Sequence, residues 1–343
     1  MSTDPQGLDT AVVADWLRSV EPGAVAGPFE ASLITGGKSN LTYLVTDGTH
    51  EYVVRRPPLG HVLATAHDMG REYRVMAALA PTAVPVPRMV ALCEDADVIG
   101  APFYVMDRVA GTPYARATQL EALGQQRTRA ITERMVDTLV ALHDVEYAEV
   151  GLGEFGRPDG YIGRQVARWK KQLAASTSRE LPGMDELVAY LDANIPTSGG
   201  ATIVHGDFRL DNLLVDEDDA VTAVLDWEMS TLGDPLADVA LMLAYQQLGE
   251  TAPPSGTGGA VVTDAPLAAG YLGREETIAR YAAGSGRDVS DIGYHLSLAF
   301  FKLAVILEGI HFRHSHGQTV GTGFDGIGDM IVPLIDAGRS ASR

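Results

Sequence analysis

One stretch of the 343-residue chain, IVHGDFRLDNLLVDEDDAVTAVLDWE over residues 203–228, combines two apolar segments with side chains that could do chemistry. The sequence HGDFRLDN predicts a loop between these segments, with Asp207 and Asn212 five positions apart. At this spacing a carboxylate can address a hydroxyl nucleophile while an amide oxygen ligates a metal ion. Asp226 ends the second apolar segment and supplies another carboxylate.

The segments LLV and VTAVLD flank the acidic turn DEDDA, and this pattern predicts a β-hairpin. Such a hairpin would return Asp226 to the same end as Asn212. A hard cation such as Mg²⁺ binds one or two protein oxygens together with phosphate oxygens and waters, and this pair could provide them. An isolated HGD is usually part of a solvated turn, so the prediction depends on the complete arrangement.

The elements that must position these residues change in type along the chain. The pattern predicts an amphipathic helix at 9–20, with Val12, Trp16 and Val20 on its buried stripe, and a second helix at 67–80. It predicts strands at 29–34, 41–46, 51–55, 88–92 and 102–106, of which the second and third form a hairpin around the turn DGT.

Beyond about residue 115 the pattern becomes mostly helical. The predicted helices lie at 118–143, 160–178, 184–194, 235–248, 272–284 and 290–313. Residues 250–270 are rich in Gly, Pro, Ser and Thr and predict a long loop, either a lid or an insertion. We therefore predict an α+β protein with an N-lobe over residues 1–107 and a C-lobe over residues 108–343.

Composition restricts the class of ligand. The formal net charge of −19 argues against a nucleic-acid partner or an anionic membrane surface, both of which need positive potential. Cys93 is the only cysteine, so an internal disulfide and a cysteine-based zinc site are excluded. The first residues lack the pattern of a signal peptide, and the apolar stretch 296–310 is expected to be too short for a membrane span. A cytoplasmic location is the expectation.

The HGD loop with its following Asp-Trp resembles the catalytic loop and metal-binding Asp of the protein-kinase-like superfamily. The HGD and DW variants resemble the aminoglycoside phosphotransferase family, which includes choline and fructosamine kinases. The pattern is especially similar to the phosphotransferase domain that is sometimes fused to acyl-CoA dehydrogenases. The resemblance covers residues 25–335 and implies a two-lobed protein-kinase-like fold, with a small antiparallel-sheet N-lobe and a larger, mostly helical C-lobe.

The resemblance also implies roles for individual residues. Asp207 matches the catalytic Asp that accepts or orients the acceptor hydroxyl, and Arg209 lies where kinases carry a catalytic-loop cation. Asn212 and Asp226 match the two Mg²⁺ ligands, whereas His205 matches a structural histidine of the motif.

Nucleotide phosphates would be bound by the N-lobe. The segment ITGGKSNLTYLV, residues 34–45, places Gly37, Ser39 and Asn40 between two strands, where backbone N–H groups could hold phosphates. In YVVRRPP the resemblance assigns the phosphate-binding cation to Arg55, although strand alternation alone leaves Arg55 and Arg56 open. An arginine here would clasp the phosphates bidentately.

The remaining assignments follow from the same resemblance. Glu72, within the second predicted helix, would pair with the phosphate-binding cation. In PFYVMDRVAG, Met106 would lie beside adenine, while the carbonyl of Asp107 and the N–H of Val109 would contact its edge. Asp238, an acid on an otherwise apolar helix, would anchor the catalytic loop.

The leading hypothesis is an ATP- and Mg²⁺-dependent small-molecule kinase that phosphorylates a hydroxyl. An aminoglycoside or other metabolite phosphotransferase and a nucleotide-binding pseudokinase are the alternatives. A metal-dependent hydrolase is disfavoured because no HExxH or paired-ligand spacing occurs. For the acceptor, a basic stripe of Arg164, Arg168 and Lys171, with Arg313, predicts either a solvated helix face or a site for an anionic hydroxyacyl-CoA or hydroxy acid.

Overall fold

The computed structural model describes residues 4–34, 40–60, 68–176, 179–197, 200–251, 263–317, 324 and 326–341. Contacts divide the chain into a first unit, Met1–Gly111 with Thr222–Glu228, and a second unit, Thr112–Val221 with Met229–Arg343. The lobes at 1–107 and 108–343 stay a prediction, and the compact units differ from them by placing Thr222–Glu228 in the first unit. Most of the predicted 250–270 loop lies outside the described residues.

The first unit is built on a five-stranded antiparallel sheet with strand order β1-β2-β3-β5-β4. Its elements are α1 (Thr10–Val20), β1 (Glu30–Leu33), β2 (Leu41–Thr46), β3 (Glu51–Arg56), α2 (Met69–Leu79), β4 (Met89–Cys93) and β5 (Phe103–Asp107). Strands β2 and β3 pair from Leu41 opposite Arg56 to Thr46 opposite Glu51, which confirms the predicted hairpin.

The helix α1 is present as predicted, but its buried face is not the one that the apolar spacing indicated. Val12 and Val20 are 37% and 46% exposed, whereas Val13 and Leu17 are fully buried in the core of the first unit. Trp16 is partly buried and packs against the same core. The apolar residues of this helix cover a broad arc, so its pattern permitted two rotations, and packing against the sheet selected one of them.

The second unit is mainly helical and contains two short strands, Thr202–Val204 and Thr231–Gly233, that pair antiparallel. Its elements are α3 (Ala117–Glu121), α4 (Gln125–His143), α5 (Tyr161–Ser176), α6 (Met184–Ala193), β6 (Thr202–Val204), β7 (Leu213–Val215), β8 (Val221–Val224), β9 (Thr231–Gly233), α7 (Leu236–Thr251), α8 (Arg274–Ser285), α9 (Ile292–Ser315) and α10 (Ile331–Ala341). Only the first residue of β8 belongs to this unit, and the rest of the strand belongs to the first unit. The acidic turn between β7 and β8 is closed by the Asp216 N–H, which donates to the Ala220 carbonyl at 3.0 Å. The antiparallel sheet of the first unit and the helices of the second confirm the predicted α+β class.

The helix α9 organises the second unit by packing against α5, α7 and α10. It is longer than the apolar stretch expected from the sequence, and by length and composition it could cross a membrane. However, 72% of its most apolar 18-residue window is buried within the protein. Its apolar side chains therefore contribute to a protein core, and its few polar side chains are brought among buried neighbours.

We predict that Leu17→Ala lowers the free energy of unfolding by about 2–5 kcal/mol, because it removes a fully buried side chain from the first unit's core. Val12→Ala, on the exposed face of the same helix, should change it by about 0.5 kcal/mol or less. Urea denaturation of both variants measures the difference. A larger loss for Val12→Ala would mean that α1 packs through the face predicted from the sequence.

Candidate active site

The predicted catalytic loop of the second unit is held by the buried carboxylate of Asp238. Helix α7 carries this residue near its first turn, which begins where Asp234 accepts a hydrogen bond from the Leu236 N–H at 3.0 Å. Asp238 is 1% exposed and accepts the backbone N–H groups of His205 and Gly206 at 2.6 and 2.7 Å. The anchoring that the family resemblance implied for Asp238 is thus present as two backbone hydrogen bonds.

The ionised form of Asp238 is favoured despite its burial. Burial raises the pKa of this carboxyl, but the hydrogen bond and charge of His143, the charge of His205 and the Gly206 N–H together lower it below its ordinary value. His143 Nε2 lies 3.3 Å from the carboxylate. An ionised, fully buried acceptor is therefore available for the loop.

The backbone of the loop turns at Gly206, where φ is +84°. A Cβ atom at this position would lie 2.8 Å from the Met229 carbonyl oxygen, so a larger residue would strain both the torsion and the packing. His205 is fully buried, and its Nδ1 accepts the Asp207 N–H at 3.2 Å. The histidine therefore contacts the loop backbone, as expected of a structural residue.

The two oxygens of Asp207 have different surroundings. Asn212 Nδ2 donates to Asp207 Oδ2 at 3.2 Å and to the Asp207 carbonyl at 2.9 Å. Asp207 Oδ1 is buried and has no hydrogen-bond partner in the part of the chain that the structure describes. One carboxylate oxygen is thus fixed by the loop, and the other can accept a hydrogen bond from a substrate hydroxyl.

Arg209 places a cation beside this carboxylate. Its Nε lies 4.0 Å from Asp207 Oδ1, and its guanidinium is paired with Asp211. Burial lowers the pKa of Arg209, but Asp207 and Asp211 raise it by more, so the guanidinium keeps its charge. The structure brings Asp207, Arg209 and Asn212 together within one short loop, and their catalytic roles stay predictions.

Sequence reasoning missed Tyr245 on α7. Its ring centroid lies 4.5 Å from the Arg209 guanidinium carbon, in cation–π geometry. Burial raises the pKa of Tyr245, and the charge of Asp207 together with a hydrogen bond from the Tyr245 hydroxyl to that carboxylate raises it further. In the sequence this tyrosine belongs to an apolar helix and has the appearance of an ordinary core residue, so no local signal connected it with the loop.

In the first unit, Arg55 forms the centre of a buried polar cluster. Its Nη2 donates to Asp226 Oδ1 at 2.6 Å, and its Nε lies 3.4 Å from Glu72 Oε2. Arg56 instead donates to the carbonyls of Gly7 and Ile99 at 2.5 and 2.9 Å. The alternation of β3 left both arginines open, and the structure directs Arg55 toward the acidic residues.

Glu72 is 1% exposed and accepts the Tyr104 hydroxyl at 2.9 Å and Asn40 Nδ2 at 3.3 Å. Burial raises the pKa of Glu72 to about 7, against the lowering effect of Arg55. The charges of Asp226 and Glu228 contribute to this increase. The carboxylate is therefore held near its protonation midpoint at neutral pH.

Glu228, which sequence reasoning did not assign to the site, belongs to the same cluster. It lies 4.0 Å from Arg55 Nη2 and accepts Asn40 Nδ2 at 3.4 Å. With Glu72 and Asp226, it brings three carboxylates to one guanidinium. An excess of negative charge on oxygen ligands favours a hard divalent cation.

Each predicted Mg²⁺ ligand keeps a side-chain oxygen without a hydrogen bond among the described residues of its own unit. Asp226 adopts a positive φ of 67°, and within the described residues its Oδ2 has no hydrogen bond. In the second unit, Asn212 uses its amide nitrogen within the loop, which leaves its Oδ1 for another partner. No group of three or more His, Cys, Asp or Glu side chains with metal-binding geometry occurs among the described residues.

The other predicted nucleotide contacts lie at the end of β5. Met106 is 7% exposed, and Asp107 forms a bidentate ion pair with Arg88 at 2.7 and 2.8 Å. The Val109 N–H makes no hydrogen bond to the described residues. Gly37 and Ser39 lie outside the described residues, and the nucleotide-binding roles stay predictions.

We predict that Tyr104→Phe destabilises the protein more at pH 8 than at pH 5, because it removes a buried donor to Glu72. The pKa of Glu72, about 7 in the folded protein, lies above its ordinary value of 4.5. The stability linked to this proton is thus complete below pH 4.5 and is lost as the pH rises through 7. Losing the hydroxyl should cost about 1 kcal/mol when Glu72 is protonated and about 2–3 kcal/mol when it is ionised.

Urea denaturation at the two pH values measures this difference. Tyr73→Phe is the matched control, since Tyr73 lies on the same helix, α2, and its hydroxyl makes no hydrogen bond within the described residues. An equal loss for Tyr104→Phe at both pH values would show that Glu72 does not change its ionisation in this range.

The chain is similar in sequence and in structure to known proteins. The chain is 38% identical over 333 residues to acyl-CoA dehydrogenase family member 10 of Mus musculus. The match covers 92% of this chain but only 30% of the mouse protein, so the chain spans about a third of that relative's length.

Among solved structures, a Ralstonia eutropha JMP134 protein whose proposed activity is that of an aminoglycoside phosphotransferase matches with a TM-score of 0.84 at 34% identity. The match covers 97% of this chain and 98% of that one. A thermostable mutant of the phosphotransferase APH(4)-Ia, in a ternary complex with ADP and hygromycin B, matches with a TM-score of 0.60 at 16% identity. Coverage is 96% of this chain and 98% of that one, and this second likeness concerns the fold alone.

The sequence model of the phosphotransferase enzyme family matches residues 30–288, which is most of the chain. This match confirms the resemblance that the HGD loop and the Asp-Trp pair indicated. The similar solved structures are protein-kinase-like phosphotransferases, which confirms the predicted fold class. The chain therefore belongs to the phosphotransferase enzyme family and has its protein-kinase-like α+β fold.

Proposed function

We propose that this phosphotransferase is an ATP- and Mg²⁺-dependent kinase that transfers the γ-phosphoryl group to a hydroxyl of a hydroxyacyl-CoA or hydroxy acid. The observation that carries the proposal is the state of Asp207 in the second unit. One of its oxygens is fixed by Asn212, and the other is buried without a hydrogen-bond partner among the described residues. A carboxylate in this state is suited to receive a substrate hydroxyl.

In the proposed reaction the acceptor oxygen attacks the γ-phosphorus, and the bond from this phosphorus to the bridging oxygen of ADP breaks. Asp207 Oδ1 orients the hydroxyl and receives its proton. Because the transition state of phosphoryl transfer is loose, positioning and charge neutralisation contribute more than strong base catalysis. Arg209, a buried cation 4.0 Å from Asp207 Oδ1, supplies positive charge at this loop.

For the nucleotide we propose that Arg55 clasps the phosphates, a role supported by its buried, permanently charged guanidinium. We propose Asn212 and Asp226 as the Mg²⁺ ligands, since each keeps an oxygen without a hydrogen bond among the described residues. Bound Mg²⁺ would neutralise charge on the phosphates. The ADP bound to the hygromycin B phosphotransferase, which has the same fold, supports an adenine nucleotide.

The proposed anionic acceptor is supported by the charges next to the catalytic loop. Lys302 Nζ lies 3.1 Å from the Gly206 carbonyl oxygen, and the nearby Arg168 contributes to lowering its pKa, behind the larger effect of burial. The charge of Asp207 acts on Lys302, so at least this cation lies near Asp207 in a chain of net charge −19. The acyl-CoA dehydrogenase name of the mouse relative supports an acyl-CoA acceptor.

Only some residues of the basic stripe remain candidates for binding the acceptor. Arg164 donates to the backbone carbonyls of Arg157 and Asp159, and it therefore closes the loop that precedes α5. Arg168, Lys171 and Arg313 are exposed, with Arg313 in the last turn of α9. We retain Arg168 and Lys171 as candidates for the acceptor's anionic groups and assign Arg164 a structural role.

An acceptor panel separates the proposal from its alternatives. ATP consumption by the full chain should rise with 3-hydroxybutyryl-CoA or 3-hydroxybutyrate and remain at its basal rate with kanamycin, whose ammonium groups would meet Lys302 and Arg168. Phosphorylation of kanamycin without turnover of either acyl compound would favour an aminoglycoside phosphotransferase. Binding of Mg·ATP without transfer to any of a broad set of hydroxyl compounds would favour the pseudokinase.

We predict that Asp207→Asn lowers kcat about 10²- to 10⁴-fold, because the amide cannot receive the hydroxyl proton. The affinity for Mg·ATP, measured by calorimetry, should change less than about threefold, which is less than 1 kcal/mol. Asp218→Asn makes the same charge change at an exposed position of the acidic turn and should retain wild-type turnover. If Asp207→Asn turned over near the wild-type rate, Asp207 would not be the catalytic residue.

A further inference from the structure

A cavity of about 40 Å³ lies in the second unit among α5, α7 and α9, beside Gly206. We call it the Lys302 cavity. Its lining includes the polar side chains of Tyr161, Gln165, Asp238, His295 and Lys302, together with apolar side chains such as Leu241 and Leu298. A single water needs about 10–15 Å³, so the cavity can hold a group of roughly three heavy atoms.

Lys302 supplies the positive charge of this cavity. Its Nζ donates to the Gly206 carbonyl at 3.1 Å and lies 5.6 Å from the centroid of the Trp169 ring. Within the described residues the Gly206 carbonyl is its only hydrogen-bond acceptor, although an ammonium group has three donors. Burial lowers the pKa of Lys302, since few groups replace the lost water.

Two other polar groups of the cavity make no hydrogen bonds to the described residues, namely the Tyr161 hydroxyl and the Gln165 amide. The buried His295 Nε2 makes no hydrogen bond among these residues but lies 3.4 Å from Asp234 Oδ1. Asp238 is the only carboxylate of the lining. Its oxygens already accept the His205 and Gly206 N–H groups and contact His143. Lys302 and Tyr161 therefore keep donors for an incoming oxygen, whereas the carboxylate of the lining is already in use.

This surplus determines the kind of group that fits. Unused N–H and O–H donors around an ammonium favour a negatively polarised oxygen and disfavour a ligand ammonium, which Lys302 would repel. The apolar part of the lining suits a short aliphatic chain. Gly206 immediately precedes Asp207, and consecutive Cα atoms lie about 3.8 Å apart, so a ligand in the cavity would be near the catalytic loop.

We propose that the Lys302 cavity binds the acyl oxygen of the phosphate acceptor, with Lys302 as its main ligand. The inference rests on the proposed function and specifies its acceptor site. The acyl oxygen belongs either to the carboxylate of a free hydroxy acid or to the thioester carbonyl of a hydroxyacyl-CoA, and both place a small polar group next to an aliphatic chain. A CoA phosphate or a sugar ring exceeds the volume of the cavity.

Calorimetric binding tests the proposal independently of turnover. The probes are 3-hydroxybutyrate, 3-hydroxybutyryl-CoA and 1,3-butanediol, which keeps the hydroxyl but lacks the acyl oxygen. Lys302→Met should weaken the binding of the acyl probe that wild type prefers by about tenfold or more, as expected for loss of a charged hydrogen bond. Its affinity for the diol should be unchanged. Preference for the acid identifies the carboxylate as the ligand, and preference for the thioester identifies its carbonyl.

Two variants keep this test interpretable. Lys302→Arg retains the positive charge and should recover part of the lost affinity. Lys170→Met on α5 removes the same side chain from an exposed ion pair with Asp192 on α6 and should leave the affinity unchanged. Thermal denaturation establishes that each variant is folded.

Three results would overturn the proposal: no binding of either acyl probe to wild type, equal affinity of Lys302→Met and wild type, or an equal loss of affinity for the diol. In the second case, a uniform decrease in kcat for all acceptors would mean that Lys302 only positions the loop through Gly206. Acyl binding that depends on Lys302 without phosphorylation would remove the proposed kinase activity and leave the acyl-oxygen site in place.

Discussion

The catalytic loop depends on the interaction of one buried carboxylate with backbone N–H groups. Asp238 accepts the amides of His205 and Gly206, and without it both donors would be buried next to a backbone with positive φ. Unsatisfied donors in a low-dielectric interior cost more than an ordinary hydrogen bond contributes. Because Asp207 follows directly, this anchoring also determines where its carboxylate lies.

The first unit buries several carboxylates around a single cation. Arg55 is surrounded by Glu72, Asp226 and Glu228, and the surplus of negative charge contributes to the raised pKa of Glu72. Burying several carboxylates around one cation stabilises the fold poorly. Under the proposed function, a bound metal ion would compensate the carboxylates and nucleotide phosphates would partner the arginine.

The net charge of −19 does not describe the positive charges next to Asp207. Arg209 and Lys302 both lie at the HGD loop, where they affect the surroundings of Asp207. The acidic surface of the whole chain would suit a polycation, whereas specificity depends on the groups inside a site. For this reason the location of Lys302 carries more weight for the acceptor than the overall composition.

The sequence by itself determined the features that depend on neighbouring residues. The HGDxxxxN spacing identified Asp207, Asn212 and the family, while strand alternation and the DGT turn gave the β2–β3 pairing, because these signals are local in the chain. Strand alternation left Arg55 and Arg56 open, and the structure agrees with the family resemblance in directing Arg55 to the carboxylates. Only the tertiary structure rotated α1 to bury Leu17 and brought Tyr245 to the HGD loop.

Lys302 illustrates the same limit. In the sequence it only interrupts an apolar helix, 95 positions after Asp207. Its proximity to Gly206 arises from the packing of α9 in the second unit. Contacts between residues distant in the chain depend on how helices pack and on which polar groups the interior leaves without water, and neither can be deduced from local spacing.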